Sequence, residues 1–319
     1  MLYRRHLRIK VLQALYSWYT GSTDDLGSGE KQLLQSVNKI YELFIWQLSF
    51  ILELRRFADV RMEENKQKFY PTDDDLKPRL NFIQNQVLLE LEQNLDFKRK
   101  DAAFKTNWGS EEGIVRKFFN ELKEKDFYNA YLLNEKLSLE DDKHFLIKLV
   151  DLLLADFDLL KSFYEEKNVH YTDGYDLVNI LLIKFIDTFS TGFISGSLLP
   201  DIYKSENGSG EEDMQFLKRL YRHVITRDEE LTEILKLKTN NWDYDRVPMM
   251  DIILLKMAII EFQEMETVPV KVTLNEYIEL AKYFSTPNSK TFVNGVLDRL
   301  IREFKEEGKI KKIGRGLVE

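Results

Sequence analysis

The stretch MMDIILLKMAIIEF, residues 249–262, constrains the fold more than any other part of this sequence. Its apolar residues are interrupted by Asp251, Lys256 and Glu261 alone, so a helix here is apolar on nearly every side. Such a helix has no solvent face and belongs at the centre of a bundle of other helices. Pro248 suits a first helical position, where its missing N–H costs nothing. The composition agrees. Glycine and proline number 14 and 6 in 319 residues, charged residues make up 31%, and 44% of the chain is apolar. That balance favours long amphipathic helices around a substantial core. The fold class is all-α.

Other helices follow from apolar residues at three- and four-residue spacing. Residues 4–19 carry Leu7, Val11, Leu12, Leu15, Trp18 and Tyr19 in that register. TGSTDDLGSGE (20–30) then reads as an exposed loop, with three glycines and several acids. A long helix follows to Pro71 and the acidic run Asp73 to Asp75, and further helical patterns occupy 76–97, 111–125, 140–167 and 174–189. The stretch 191–213 reads as a flexible connection, and the sequon Asn207-Gly208-Ser209 within it has no meaning without secretion. Thr273 and Glu276 fit a capping box, with Val272 and Tyr277 as its hydrophobic staple. That helix runs to about Phe284. Pro287 opens another, whose stripe is Phe292, Val293, Val296, Leu297, Leu300, Ile301 and Phe304, and Gly308 offers a left-handed C-cap. The lysine-bearing tail 308–319 reads as loose. A weak internal likeness pairs 145–160 with 216–231 and 180–185 with 252–257; a duplicated helical pair or shared amphipathic grammar explains it equally.

The chemistry of known catalytic motifs is missing. Zero cysteines exclude disulfides and thiolate metal sites, and the histidines His6, His144, His170 and His223 lack ligand spacing. GSGEKQ (27–32) lacks the spacing and preceding strand of a phosphate loop. There is no dinucleotide fingerprint and no nucleophile elbow. The expectation is a non-enzyme with no cofactor and no metal. No window approaches the roughly eighteen uncharged apolar residues of a membrane span, and no signal peptide is visible, so the expected location is the cytoplasm.

Charge is unevenly placed. The net charge is −8, yet the first twenty residues hold Arg4, Arg5, Arg8 and Lys10 and no carboxylate. On a helix the three arginines form one cluster. Guanidinium groups grip phosphates bidentately and stack on bases, chemistry suited to single-stranded RNA.

RRHLRIKVLQALYSW resembles the opening helix of the bacterial transcription antitermination factor NusB family, and VPVKVTLNEYIELAKYFSTPNSKTFVNGVLDRL (268–300) resembles that family's closing signature. Residues 216–262 fit its two middle helices. The resemblance implies NusB-like helical bundles, no catalysis, and binding of boxA-type RNA together with the ribosomal protein NusE in the transcription elongation complex during rRNA transcription. Carried over by position, Arg4, Arg5, Arg8 and the adjacent Lys10 fall in the RNA-contacting helix, and Asn288, Ser289, Lys290 and Phe292 in a second RNA-proximal segment. Tyr16 and Asp251 fall at the NusE-facing surface. His6, Pro287 and Asn288 depart from the family pattern. Read from the residues alone, Tyr16 and Phe292 fit core packing as well, and Asp251 fits a first-turn acid favoured by the helix dipole. A scaffold that kept the fold and lost the RNA is the alternative reading. A third reading, an RNA-modifying methyltransferase, needs a nucleotide-binding α/β domain, and no glycine-rich strand–helix signal follows residue 304.

The expected organisation is an N-terminal bundle over 1–213, holding an inserted helical region at about 25–213, then a C-terminal bundle over 214–307 and a basic tail over 308–319.

Overall fold

The computed structural model describes residues 2–21, 25–203, 211–238 and 244–317. Residues 22–24 of the expected first loop, 204–210 of the expected connection with its sequon, and the tail residues 318–319 lie outside the described residues. Among those described there is no strand. In chain order the helices are α1 (Arg4–Tyr19), α2 (Leu26–Lys66), α3 (Asp73–Leu76), α4 (Gln86–Gln93), α5 (Leu95–Phe104), α6 (Glu112–Lys123), α7 (Asp126–Leu133) and α8 (Leu139–Leu149). They continue with α9 (Asp158–Lys167), α10 (Val169–Thr172), α11 (Tyr175–Asp187), α12 (Glu211–Thr226), α13 (Asp228–Lys238), α14 (Met249–Glu264), α15 (Val270–Phe284) and α16 (Ser289–Glu306).

The chain forms two compact units, Met1–Val37 with Asp201–Glu319, and Asn38–Pro200. Boundaries therefore fall at 37/38 and 200/201, not at 213/214, because α1 packs on α12 and α14. In this first unit α14 is the central helix its sequence demands. Ile253, Leu254, Leu255, Met257, Ala258, Ile259, Ile260 and Phe262 are all buried, with α1, α12, α13, α15 and α16 packed around them.

Two helix starts differ from expectation. α15 begins at Val270, after Pro269, so Thr273 and Glu276 lie inside the helix and form no capping box. The pre-set φ of Pro269 opens the helix a turn early, leaving both side chains for tertiary bonds. α2 begins at Leu26 and takes Gly27 and Gly29 into the helix, although both fall in the stretch expected to be an exposed loop. Gly308, at φ +65°, ends α16 as expected.

The tail is not loose. Lys312 donates to the carbonyls of Glu261 and Met265 at 3.1 and 2.9 Å, capping the C-terminus of α14, and Ile313 N–H bonds the Glu266 carbonyl.

The second unit has an aromatic core. Phe50 meets Phe118 edge-on at 5.2 Å, and Trp46 meets Trp108 edge-on at 5.2 Å. Asparagines punctuate it: Asn85 and Asn94 accept bonds from the N–H groups of Leu88 and Phe97, capping α4 and α5 and splitting the expected 76–97 helix. Between α8 and α9 lies a π-helical turn, Val150–Leu154, so the segment likened to 216–231 follows a different path from α12. The expected flexible connection is pinned over its first part. Asn94 donates to the carbonyls of Ile194 and Ser197 at 3.2 and 2.7 Å, and Leu199 N–H bonds Asp96 at 2.9 Å.

Candidate nucleic-acid interface

The arginine cluster of α1 meets carboxylates supplied by three other helices. Arg8 is 2% exposed. Its Nε and Nη2 donate to the two oxygens of Glu261 on α14 at 2.9 and 2.5 Å. Thr273 and Tyr277 of α15 donate to the same oxygens at 2.9 and 3.0 Å. The carboxylate is thus fully bonded, which is the condition for burying a charge. Burial works to raise the Glu261 pKa, but the Arg8 charge and these donors outweigh it and hold the group below the ordinary carboxylate range. Burial likewise works to lower the Arg8 pKa, and Glu261 reverses it. Burial raises the Tyr277 pKa well above its ordinary value, so the phenol stays a donor.

Arg5 reaches Glu276 on α15 through two bonds of 2.8 Å, which raise the Arg5 pKa. Half of the Arg5 side chain is still exposed, at 51%. Arg4 bonds Asp213 at 3.2 Å and lies 3.5 Å from Glu212, both on α12. The Arg4 and Arg8 guanidiniums sit 5.2 and 5.4 Å from the centre of the Phe216 ring. His6 turns back to accept the Tyr3 N–H at 3.2 Å, and burial with the Arg5 charge lowers its pKa, keeping it neutral. The absence of carboxylates in α1 now has a physical cause: its partners are acids elsewhere.

The sequence-predicted residues divide by depth. Arg4, Arg5, Tyr16, Asn288 and Lys290 reach solvent, and Phe292 is half-buried. Arg8, Lys10, Asp251 and Ser289 are buried. Asp251, expected at a partner-facing surface, is 1% exposed and accepts the Ser289 hydroxyl at 2.6 Å, tying the first turn of α14 to that of α16. Its other oxygen has no hydrogen bond. The correction has a simple cause, since α14 is enclosed on all sides and its first-turn acid is enclosed with it. A phosphate reaches Arg8 only by displacing Glu261, so the exposed remainder of the cluster is Arg4 and Arg5. At the far end of α1, Tyr19 donates to Asp228, and Lys256 bonds the same oxygen at 2.5 Å while sitting 5.0 Å from the Tyr19 ring centre. Glu261, Glu276 and Asp213 were missed as site residues. Glu261 left a trace as a charged interruption of an apolar helix, Glu276 one that read as half of a capping box, and Asp213 left none.

The NusB family model matches residues 188–302, from the end of the second unit through most of α16. The transcription antitermination protein NusB of Bacillus mycoides is 33% identical over 108 residues, 34% of this chain and 83% of that protein. The chain belongs to the NusB family. The NusB of Salinibacter ruber is 42% identical over 103 residues, 32% of this chain and 64% of its own length. That of Chloroherpeton thalassium is 33% identical over 134 residues, 42% and 59%. The chain thus spans about 64% and 59% of these two NusB relatives. No solved structure matches. The NusB-matched stretch contains Glu261, Glu276 and the Asn288–Phe292 segment; α1 lies outside it.

Proposed function

We propose that this NusB-family chain is a transcription antitermination factor that binds boxA-type RNA together with NusE in the elongation complex. The observation that supports it is the exposed edge of the arginine cluster, Arg4 and Arg5, in a unit that also exposes Asn288 and Lys290 at the start of α16. Arg5 and Glu276 form a surface ion pair worth about 0–1 kcal/mol, so an RNA phosphate competes for that guanidinium at little cost. Arg8 and Lys10 then act from the interior by fixing α1, and Asp251 with Ser289 fixes the approach to α16. Tyr16, 44% exposed, is the candidate NusE contact. No catalytic step or cofactor enters.

One observation favours a second reading, a scaffold without RNA: each arginine of the cluster already has a carboxylate. Fluorescence anisotropy of a labelled boxA-type RNA, with and without NusE across a salt series, separates the two. Binding enhanced by NusE, and weakened with a shallower salt slope in Arg4→Ala/Arg5→Ala, supports the RNA-binding reading. No binding even with NusE leaves the scaffold.

A further inference from the structure

The second unit contains a cleft of about 430 Å³ that the proposed boxA surface does not use. Its lining includes the aromatic rings of Phe82, Phe119 and Tyr128. Tyr128 meets Phe82 edge-on at 6.0 Å and Phe119 at 6.4 Å, so these rings are packed together. Four cations line the same cleft, Arg61, Lys68, Arg79 and Lys123, against one carboxylate, Asp75. Asp75 is already engaged, by the N–H and hydroxyl of Thr72 and by Lys68 at 3.4 Å. Arg61 pairs with Glu64 at 3.2 Å. Arg79 and Lys123 are exposed and have no acidic partner among the described residues. The lining therefore carries a surplus of positive charge in a chain that is acidic overall.

The two residues after Lys68 are Phe69 and Tyr70, 88% and 84% exposed, with their rings edge-to-face at 4.7 Å. Nothing in the core uses them. Neither ring lines the cleft, but both follow directly on Lys68, which does. Exposed rings joined by the chain to a cationic groove are the parts of a single-strand binding site, in which bases stack and phosphates track the cations. A free mononucleotide would fill the cleft and leave the two rings idle. An apolar peptide would leave Arg79 and Lys123 uncompensated. A polymer of nucleotides uses both features.

We propose that this cleft, with the Phe69–Tyr70 pair that follows Lys68, binds a single-stranded polynucleotide without sequence preference. One base stacks on the exposed rings, and the neighbouring phosphates lie against Arg79 and Lys123. The site lies outside the family-matched residues and stands whether or not boxA-type RNA is bound elsewhere.

The test uses the full chain and a fluorescein-labelled CA-repeat RNA of about twelve nucleotides, within the usual length for such sites. Phe69→Ala/Tyr70→Ala should weaken binding roughly tenfold, the loss of about one stacked base. Arg79→Ala/Lys123→Ala should lower the slope of log affinity against log salt by about 1.4, at roughly 0.7 per lost phosphate contact. Arg4→Ala/Arg5→Ala, which removes the first unit's exposed arginines, should keep both effects intact. All four second-unit side chains are exposed, so the helical circular dichroism should not change. The proposal is overturned if the parent chain does not bind this RNA, or if both second-unit variants bind it as the parent does. Competition by AMP as effective, per nucleotide, as by the RNA would also overturn it and reduce the cleft to a small-anion site.

Discussion

Replacing Glu261 by Gln removes the carboxylate that Arg8 bonds directly and leaves the buried guanidinium only Glu276, 3.7 Å away and shared with Arg5, as counter-charge. The expected loss is about 3–5 kcal/mol, read as a lower urea midpoint at unchanged slope. Changing both partners to Met should cost less than either change alone, because no uncompensated charge remains. The same pair sets an acid limit. The folded Glu261 carboxyl titrates below its ordinary value of 4.5, so in that window the unfolded chain binds more protons. Its contribution is therefore fully present above about pH 5 and fades as pH falls through the depressed folded value. Urea midpoints measured from pH 7 down to pH 3 should fall in the parent and fall less steeply in Glu261→Gln. Little of this was legible in the sequence. Arg8 looks like a solvent-facing cation, because a sequence gives the helix face but not the acid 253 residues away that neutralises it.

At the scale of elements, periodicity carried much of the fold. The apolar circumference of α14 announced a central helix, and the Gly308 C-cap stands where its residue type placed it. Misreadings arose where one polar side chain decided a boundary. Asn85 and Asn94 sit inside an amphipathic pattern, and only their caps reveal that the helix is interrupted there. Thr273 and Glu276 have capping-box spacing but serve Glu261 and Arg5 instead. Asn94 carries three bonds, one to Phe97 and two to the strap at 194–197. Asn94→Ala should remove about 1 kcal/mol for the lost cap and speed amide exchange across 193–199, measured by hydrogen–deuterium exchange. Ser289→Ala would strip Asp251 of its hydrogen bond, at about 1–3 kcal/mol by thermal or urea unfolding.

Across the whole molecule, each unit has a core of its own, so damage should stay local. Glu261→Gln is expected to raise amide exchange in α1, α14 and α15 and leave α4 to α11 at parental rates. Uniform acceleration would contradict independent cores. The division also has a consequence in time. The second unit has all its residues once Pro200 has been made. The Arg8 helix must wait for Glu261, and at ~5–20 residues per second that is about 13 to 50 seconds of synthesis. Until Glu212 and Asp213 are made, this basic, amphipathic helix without acids of its own has none of its carboxylate partners, and Arg8 waits longer still for Glu261. The order of translation thus makes the centre of the first unit the last to close, and gives nascent α1 a period in which its arginines are open to any polyanion nearby.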